Sequence, residues 1–195
     1  MTPRTTTAGP FRASPAVVAL AAIALVVGLV VAACGTSTVT PSSSPAASGP
    51  LTSLAPNATP WPGGVIEGVI NLAKADTEIQ AAGADLGAAA AYEDLEKMWG
   101  AADGLATLIE RLQGQVPRIA DYPETAPAAA AYAAAFPDML AGAKQIRDSI
   151  TAKDATGIAA GSQQLAKGLD KYRQARRLIG PLVDQAFLMQ RLLLK

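Results

Sequence analysis

Few residues in this sequence have side chains suited to catalysis. The chain has no histidine and a single cysteine, Cys34. Without histidine it lacks the commonest general base, the Ser-His-Asp triad and the histidine ligands of catalytic zinc and of haem. It also lacks the glycine-rich loops that bind nucleotide phosphates. The sequence therefore predicts a protein that is not an enzyme, with no catalytic residue, no metal and no cofactor.

An acidic cluster is the candidate for cation binding. Glu93, Asp94 and Glu96 lie close together and are followed by Lys97. Carboxylate oxygens are the ligands that hard cations prefer. However, Glu93 and Lys97 have the i,i+4 spacing of an ion pair on a solvated helix face. We expect the ion pair rather than a cation site.

The two tryptophans are candidates for lining a ligand groove. Large aromatic side chains more often pack in the interior, because they bury much apolar area. We therefore expect Trp99 to lie in the core and Trp61 to cap one end of the domain.

Basic residues are concentrated near the C-terminus, whereas acidic residues dominate 61–110. The candidate basic patch consists of Lys171, Arg173, Arg176 and Arg177. We expect these side chains to pair with acidic residues of the first two long helices. An alternative is that they contact anionic lipid headgroups while 182–194 lies in the membrane interface. An anionic ligand or a protein partner is a further alternative.

Near the N-terminus, residues 17–33 carry no charge and follow Arg4 and Arg12, which is the layout of a secretory signal. The run ends in Val31-Ala32-Ala33-Cys34, which resembles the lipobox of bacterial lipoproteins. The resemblance implies cleavage between Ala33 and Cys34, lipidation of Cys34 and a membrane-anchored protein on the extracytoplasmic face. An uncleaved membrane helix and ordinary secretion are the alternatives. Lipidation also accounts for a single cysteine in an exported chain.

Composition divides the chain into three parts. Residues 1–33 form the expected signal peptide. Residues 34–60, rich in Ser, Thr, Pro, Ala and Gly, form an expected disordered tether, because they contain too little apolar surface to offset the entropy of ordering. Residues 61–195 form the expected folded domain. The net charge of zero gives no reason to expect a nucleic-acid partner.

Apolar residues in the domain recur every three or four positions, which predicts amphipathic helices. The expected helices cover about 62–82, 85–116, 125–153 and 155–179, with Gly83 and Pro117 as stops and Pro137 as a kink. The expected inward stripe of the second helix includes Tyr92, Leu95, Trp99, Ala102, Leu105, Ile109 and Leu112. In the fourth helix it includes Leu178 and Ile179, and Gly180-Pro181 is expected to break or bend the helix. The predicted fold is all-α, an antiparallel up-down-up-down four-helix bundle.

The hairpin 145–172 resembles the last hairpin of soluble four-helix b-type cytochromes. That family binds haem through a methionine on its first helix and a histidine on its last. Neither ligand is present at those places here, so the resemblance implies a shared bundle shape without haem.

Two functional hypotheses follow from these features. The first is a non-enzymatic accessory lipoprotein that binds a protein partner. The second is a carrier of a small molecule or cation, with a cavity between helices near Trp99 or near the Pro137 kink.

Overall fold

A computed structural model of the protein describes residues 60–193. This part of the chain is an all-α bundle of five helices: α1 Gly63–Ala91, α2 Leu95–Gln113, α3 Val116–Ala120, α4 Ala126–Ala152 and α5 Ala155–Leu193. The predicted signal peptide, the lipidated Cys34 and all but the last residue of the predicted tether lie outside the described residues.

The boundary between the first two long helices lies later than predicted. α1 does not stop at Gly83 but continues to Ala91, because a single glycine costs only about 1 kcal/mol against a run of strongly helix-forming alanines. The chain turns at Tyr92 and Glu93, where Glu93 adopts φ 54°. Asp94 then caps α2 by accepting a hydrogen bond from the Lys97 backbone N–H at 3.0 Å.

Between α2 and α4, part of the predicted loop is helical. α2 ends at Gln113, and the short helix α3 follows with Pro117 in its first turn. Ile119 of α3 is fully buried, and its carbonyl oxygen accepts a hydrogen bond from Thr125 Oγ1 at 2.5 Å. This contact fixes the path of the chain into α4.

Neither internal proline ends its helix. α4 runs through Pro137, and α5 runs through Gly180-Pro181 to Leu193, so the helix is not broken at that dipeptide. Pro181 faces solvent, where water can satisfy the carbonyl that loses its partner. Buried side chains on both sides of it, Ile179 and Ala186, hold the helix against the bundle.

The long helices pack as neighbours in the order α1, α2, α4 and α5, with α5 also against α1. In the described part of the chain the backbones of α2 and α5 do not approach each other closely. The closest seam lies between α4 and α5, where glycines let the backbones approach. A Cβ atom placed on Gly161 would lie 2.9 Å from the Ile146 backbone nitrogen, and one on Gly168 would lie 2.5 Å from that of Met139.

Candidate functional site

The predicted basic patch is divided between two sides of α5. On one side, Lys171 Nζ lies 2.5 Å from Asp138 Oδ2 on α4, and Lys167 Nζ lies 3.7 Å from the same atom. The hydrogen bond from Lys171 is the main reason why the pKa of Asp138 is lowered. This pairing with α4 was not predicted from the sequence.

On the other side of α5, Arg176 Nη2 lies 2.7 Å from Asp76 Oδ2 on α1. Tyr172 donates a hydrogen bond to the other carboxylate oxygen at 3.4 Å. Burial nevertheless raises the pKa of Asp76, because the loss of hydration outweighs the attraction of Arg176. The pair agrees with the expected contact between the last helix and the acidic first helix, although the backbones of α5 and α2 do not approach each other closely.

The other two patch residues differ in burial. Arg173 is half-buried, with its Nη1 2.5 Å from Asp170 of the same helix, and Arg177 is exposed. Three of the four patch residues therefore form ion pairs within the domain, and contact of this patch with lipid or with a partner stays a prediction.

The acidic cluster is arranged differently from the expected ion pair. Lys97 Nζ pairs with Asp94 Oδ2 at 2.9 Å rather than with Glu93, because Glu93 lies in the turn and outside the helix. The hydrogen bond from the Lys97 side chain is the main reason why the pKa of Asp94 is lowered. Across residues 60–193, no three His, Cys, Asp or Glu side chains are grouped closely enough to hold a metal ion.

The two tryptophans have opposite environments. Trp61 is 2% exposed; its indole N–H donates to Glu124, and its backbone N–H donates to Met189 Sδ at 3.4 Å. It therefore caps the end of the bundle where the chain enters, as expected. Trp99 is 42% exposed, so its predicted place in the core is wrong.

The error at Trp99 comes from the misplaced helix boundary. The predicted stripe through Tyr92, Leu95 and Trp99 crosses the turn before α2, where the helical period starts again. Within α2 the buried stripe begins at Met98, one residue before Trp99. It continues through Ala102, Leu105, Ile109 and Leu112. Tyr92 is 85% exposed and Leu95 is 42% exposed.

An open cleft of about 610 Å³ runs along the seam between α1 and α2. Its walls are mostly alanine and glycine, with Asp85, Tyr92, Asp94 and Lys97 supplying the polar and aromatic groups. Trp99 is not part of its lining. The second hypothesis expected a cavity near Trp99, and the cleft does lie beside that residue, but the residues that form its shallow wall on α2 are Gly100, Ala101 and Gly104.

Exposed large apolar side chains form two groups at different places. Tyr92, Leu95 and Trp99 lie around the turn between α1 and α2, and Leu178, Phe187 and Leu192 lie on the second half of α5. Within residues 60–193, no helix combines the length and the hydrophobicity that a bilayer-spanning segment requires.

Among residues 60–193, one buried aromatic side chain has a polar atom without a hydrogen-bond partner. Tyr132 is fully buried, its ring lies 5.3 Å from that of Phe136 and 5.8 Å from that of Tyr172, and its hydroxyl has no partner among the described residues. Burial raises the pKa of Tyr132 and of Tyr172. Both phenols therefore stay neutral near pH 7.

The fold and these surfaces define an all-α helical bundle with charged residues paired across its helices. No protein-family model, no curated protein and no solved structure matches the chain.

Proposed function

We propose that this chain is a bacterial lipoprotein held on the extracytoplasmic face of the cell membrane, and that its helical domain is a non-enzymatic module that binds a protein partner. The observation that carries the proposal is Val31-Ala32-Ala33-Cys34 at the end of an uncharged apolar run. In this proposal residues 1–33 are removed, lipidated Cys34 becomes the first residue, and 34–60 tethers a domain of residues 61–195. The domain is an antiparallel up-down-up-down four-helix bundle with α3 as a short addition.

Exposed apolar residues support the role of a binding module. Tyr92, Leu95 and Trp99 lie at the far end of α1 from Trp61, where the tether joins the domain. A helix of 29 residues is about 44 Å long, so this end points away from the anchor. Aromatic side chains are enriched at protein interfaces because they combine a large apolar area with few rotatable bonds. We assign the partner surface to this end of the domain.

The anchor is tested by mass spectrometry of the mature protein. We expect an N-terminal peptide that begins at Cys34 and carries diacylglyceryl and acyl groups, and we expect Cys34→Ala to leave the precursor uncleaved. An unmodified Cys34, or retention of residues 17–33, would contradict the lipoprotein proposal.

The partner surface is tested by photo-crosslinking in intact cells. A photoreactive residue at Leu95 is expected to form a defined protein adduct, and the additional change Trp99→Ala is expected to reduce it. The matched control places the same group at Gln174, an exposed position on α5. Adducts of equal yield from both positions, or none from Leu95, would argue against this surface.

The cleft between α1 and α2 favours a second candidate function, a small-molecule carrier. Its volume of about 610 Å³ lies within the range of about 300–1,000 Å³ that is common for ligand sites. A bound ligand would raise the melting temperature of the wild-type protein in a thermal-shift screen. Gly104→Leu, which would fill the cleft, should abolish that rise without preventing folding, because a Cβ atom on Gly104 meets nothing within 4 Å.

A further inference from the structure

We propose that the last two turns of α5 rest on the anionic lipid surface of the membrane that anchors the chain. The contact surface, here called the terminal patch, consists of Phe187, Leu188, Arg191 and Leu192. This inference rests on the proposed membrane anchoring. It narrows the expected interfacial segment 182–194 to four residues, and it drops the predicted basic patch from the lipid contact because most of that patch is paired within the domain.

The terminal patch is apolar, exposed and continuous. Phe187 is 42% exposed and Leu192 is 59% exposed, while Leu188 is half-buried and Arg191 is exposed. Residues four apart are neighbours on a helix surface, so Phe187 lies beside Arg191 and Leu188 beside Leu192. Phenylalanine and leucine next to arginine form the composition that helices at a membrane interface commonly use.

The bundle leaves this patch uncovered because α5 is longer than its neighbour. α5 has 39 residues and α4 has 27, so α5 is longer by about 18 Å. The opposite face of the same two turns is covered, since Ala186 and Met189 are buried. One side of the end of α5 is therefore part of the core, and the other side carries apolar surface that α4 does not reach.

The position at which the chain enters the domain points to lipid as the occupant. The backbone N–H of Trp61 donates to Met189 Sδ, on the turn of α5 that carries the patch. The chain therefore leaves the domain toward Cys34 within a few residues of the patch. If the residues between Cys34 and Trp61 form the proposed tether, a coil of about 26 residues has a mean reach of about 28 Å. This tether keeps the patch close to the membrane, so that even a weak lipid contact is populated.

The charges near the two exposed apolar groups also favour lipid at the terminal patch and not at the far end of the domain. At the terminal patch Arg191 lies among the apolar side chains. The nearest acid on α5, Asp184, lies earlier in the helix, and Glu124 at this end of the domain accepts a hydrogen bond from the Trp61 indole. At the far end Glu93 and Glu96 flank the exposed apolar group, and Lys97 there is paired with Asp94, so the acids outnumber the bases and disfavour an anionic surface. The two apolar surfaces therefore suit different occupants, lipid at the terminal patch and a protein at the far end.

The test uses the full chain purified with its anchor and reconstituted into protein-free vesicles that contain phosphatidylglycerol. Phe187→Cys is labelled with an environment-sensitive dye, and lipids that carry a quencher report contact with the bilayer. The matched control is Leu95→Cys, since Leu95 and Phe187 are both 42% exposed. We expect quenching at residue 187 to exceed that at residue 95 by about twofold or more, and Arg191→Glu to weaken the contact about fivefold in these vesicles.

Three results would overturn the proposal: equal quenching at the two positions, stronger quenching at residue 95, or quenching at residue 187 that is absent in the protein-free vesicles and appears only when a second membrane protein is added. Failure of the anchor itself is distinguishable. If Cys34 were not lipidated, the dye would label the unsubstituted chain and mass spectrometry would find residue 34 unmodified. A lipidated chain without quenching at residue 187 would reject the terminal patch alone.

Discussion

Glycine-to-alanine substitutions should have opposite effects on stability at different places in this bundle. At the seam between α4 and α5, a Cβ atom on Gly168 would lie 2.5 Å from the Met139 backbone nitrogen and 3.0 Å from the Asp138 carbonyl carbon. Because these neighbours are backbone atoms, they cannot move away by rotating a side chain. On α2, a Cβ atom on Gly104 would have nothing within 4 Å.

The expected magnitudes follow from two terms. Alanine improves helix propensity by about 1 kcal/mol at either site. At Gly168 the two helices must separate. Because the neighbours are backbone atoms, we take the upper part of the usual overpacking cost, about 2–3 kcal/mol. We therefore expect Gly168→Ala to lower the free energy of unfolding by about 1–2 kcal/mol and Gly104→Ala to raise it by about 0.5–1 kcal/mol. For a domain of this size each kcal/mol corresponds to about 3–5 °C in Tm.

Urea unfolding followed by circular dichroism measures both variants, and an unchanged m value confirms that the compared states are the same. Gly161→Ala serves as a replicate at the seam, because its Cβ atom would lie 2.9 Å from the Ile146 backbone nitrogen. The reasoning would be refuted if Gly168→Ala were as stable as the wild type, or if Gly104→Ala were the more damaging change.

Three further predictions concern single side chains. Trp61→Ala should lower the free energy of unfolding by about 3–5 kcal/mol, because it empties a buried site, whereas Trp99→Ala should change it by less than about 1 kcal/mol; comparable losses in urea unfolding would contradict the assigned environments. Tyr132→Phe removes a buried hydroxyl without a partner and should leave the free energy of unfolding unchanged or raise it by up to about 1 kcal/mol, so a clear loss in the same assay would reveal a missing partner. Asp138→Asn should be less stable than the wild type at pH 7. Because Lys171 lowers the pKa of Asp138 in the folded state, the stabilisation by this carboxylate is present above its unfolded pKa and is lost as the pH falls through its folded pKa. The stability difference between the two chains should therefore shrink in acid, and a constant difference from pH 7 to pH 3 would refute this assignment.

Helix positions were predictable where local signals agree. The expected helices ended near 153 and began again at 155, which agrees with the observed bounds. Asp154 lies between them and accepts a hydrogen bond from the Thr156 backbone N–H at 3.0 Å. The start of α4 near Thr125 was also close to the observed bound. Both sites have capping or proline signals whose effect depends on a few neighbouring residues, so no tertiary contact was needed to recognise them.

Predictions failed where a local signal competed with packing. Gly83 was interpreted as a helix end and Gly180-Pro181 as a break or a bend, yet α1 and α5 continue through them. Each breaker costs a limited amount of free energy, and the buried residues on both sides supply more than that amount. The misplaced boundary changed the outcome only near the turn: Leu95 and Trp99 are exposed, whereas the predicted stripe from Ala102 to Leu112 is buried.

The sequence by itself determined that the described domain is helical and that it lacks the histidine on which many reactions depend. It also indicated, through Val31-Ala32-Ala33-Cys34, where the proposed anchor lies. Only the tertiary structure decided which acid each base meets, since Asp76 and Asp138 approach Arg176 and Lys171 from helices on opposite sides of α5. Charge along a chain fixes the number of possible partners, whereas helix packing fixes which of them lie within a few ångströms.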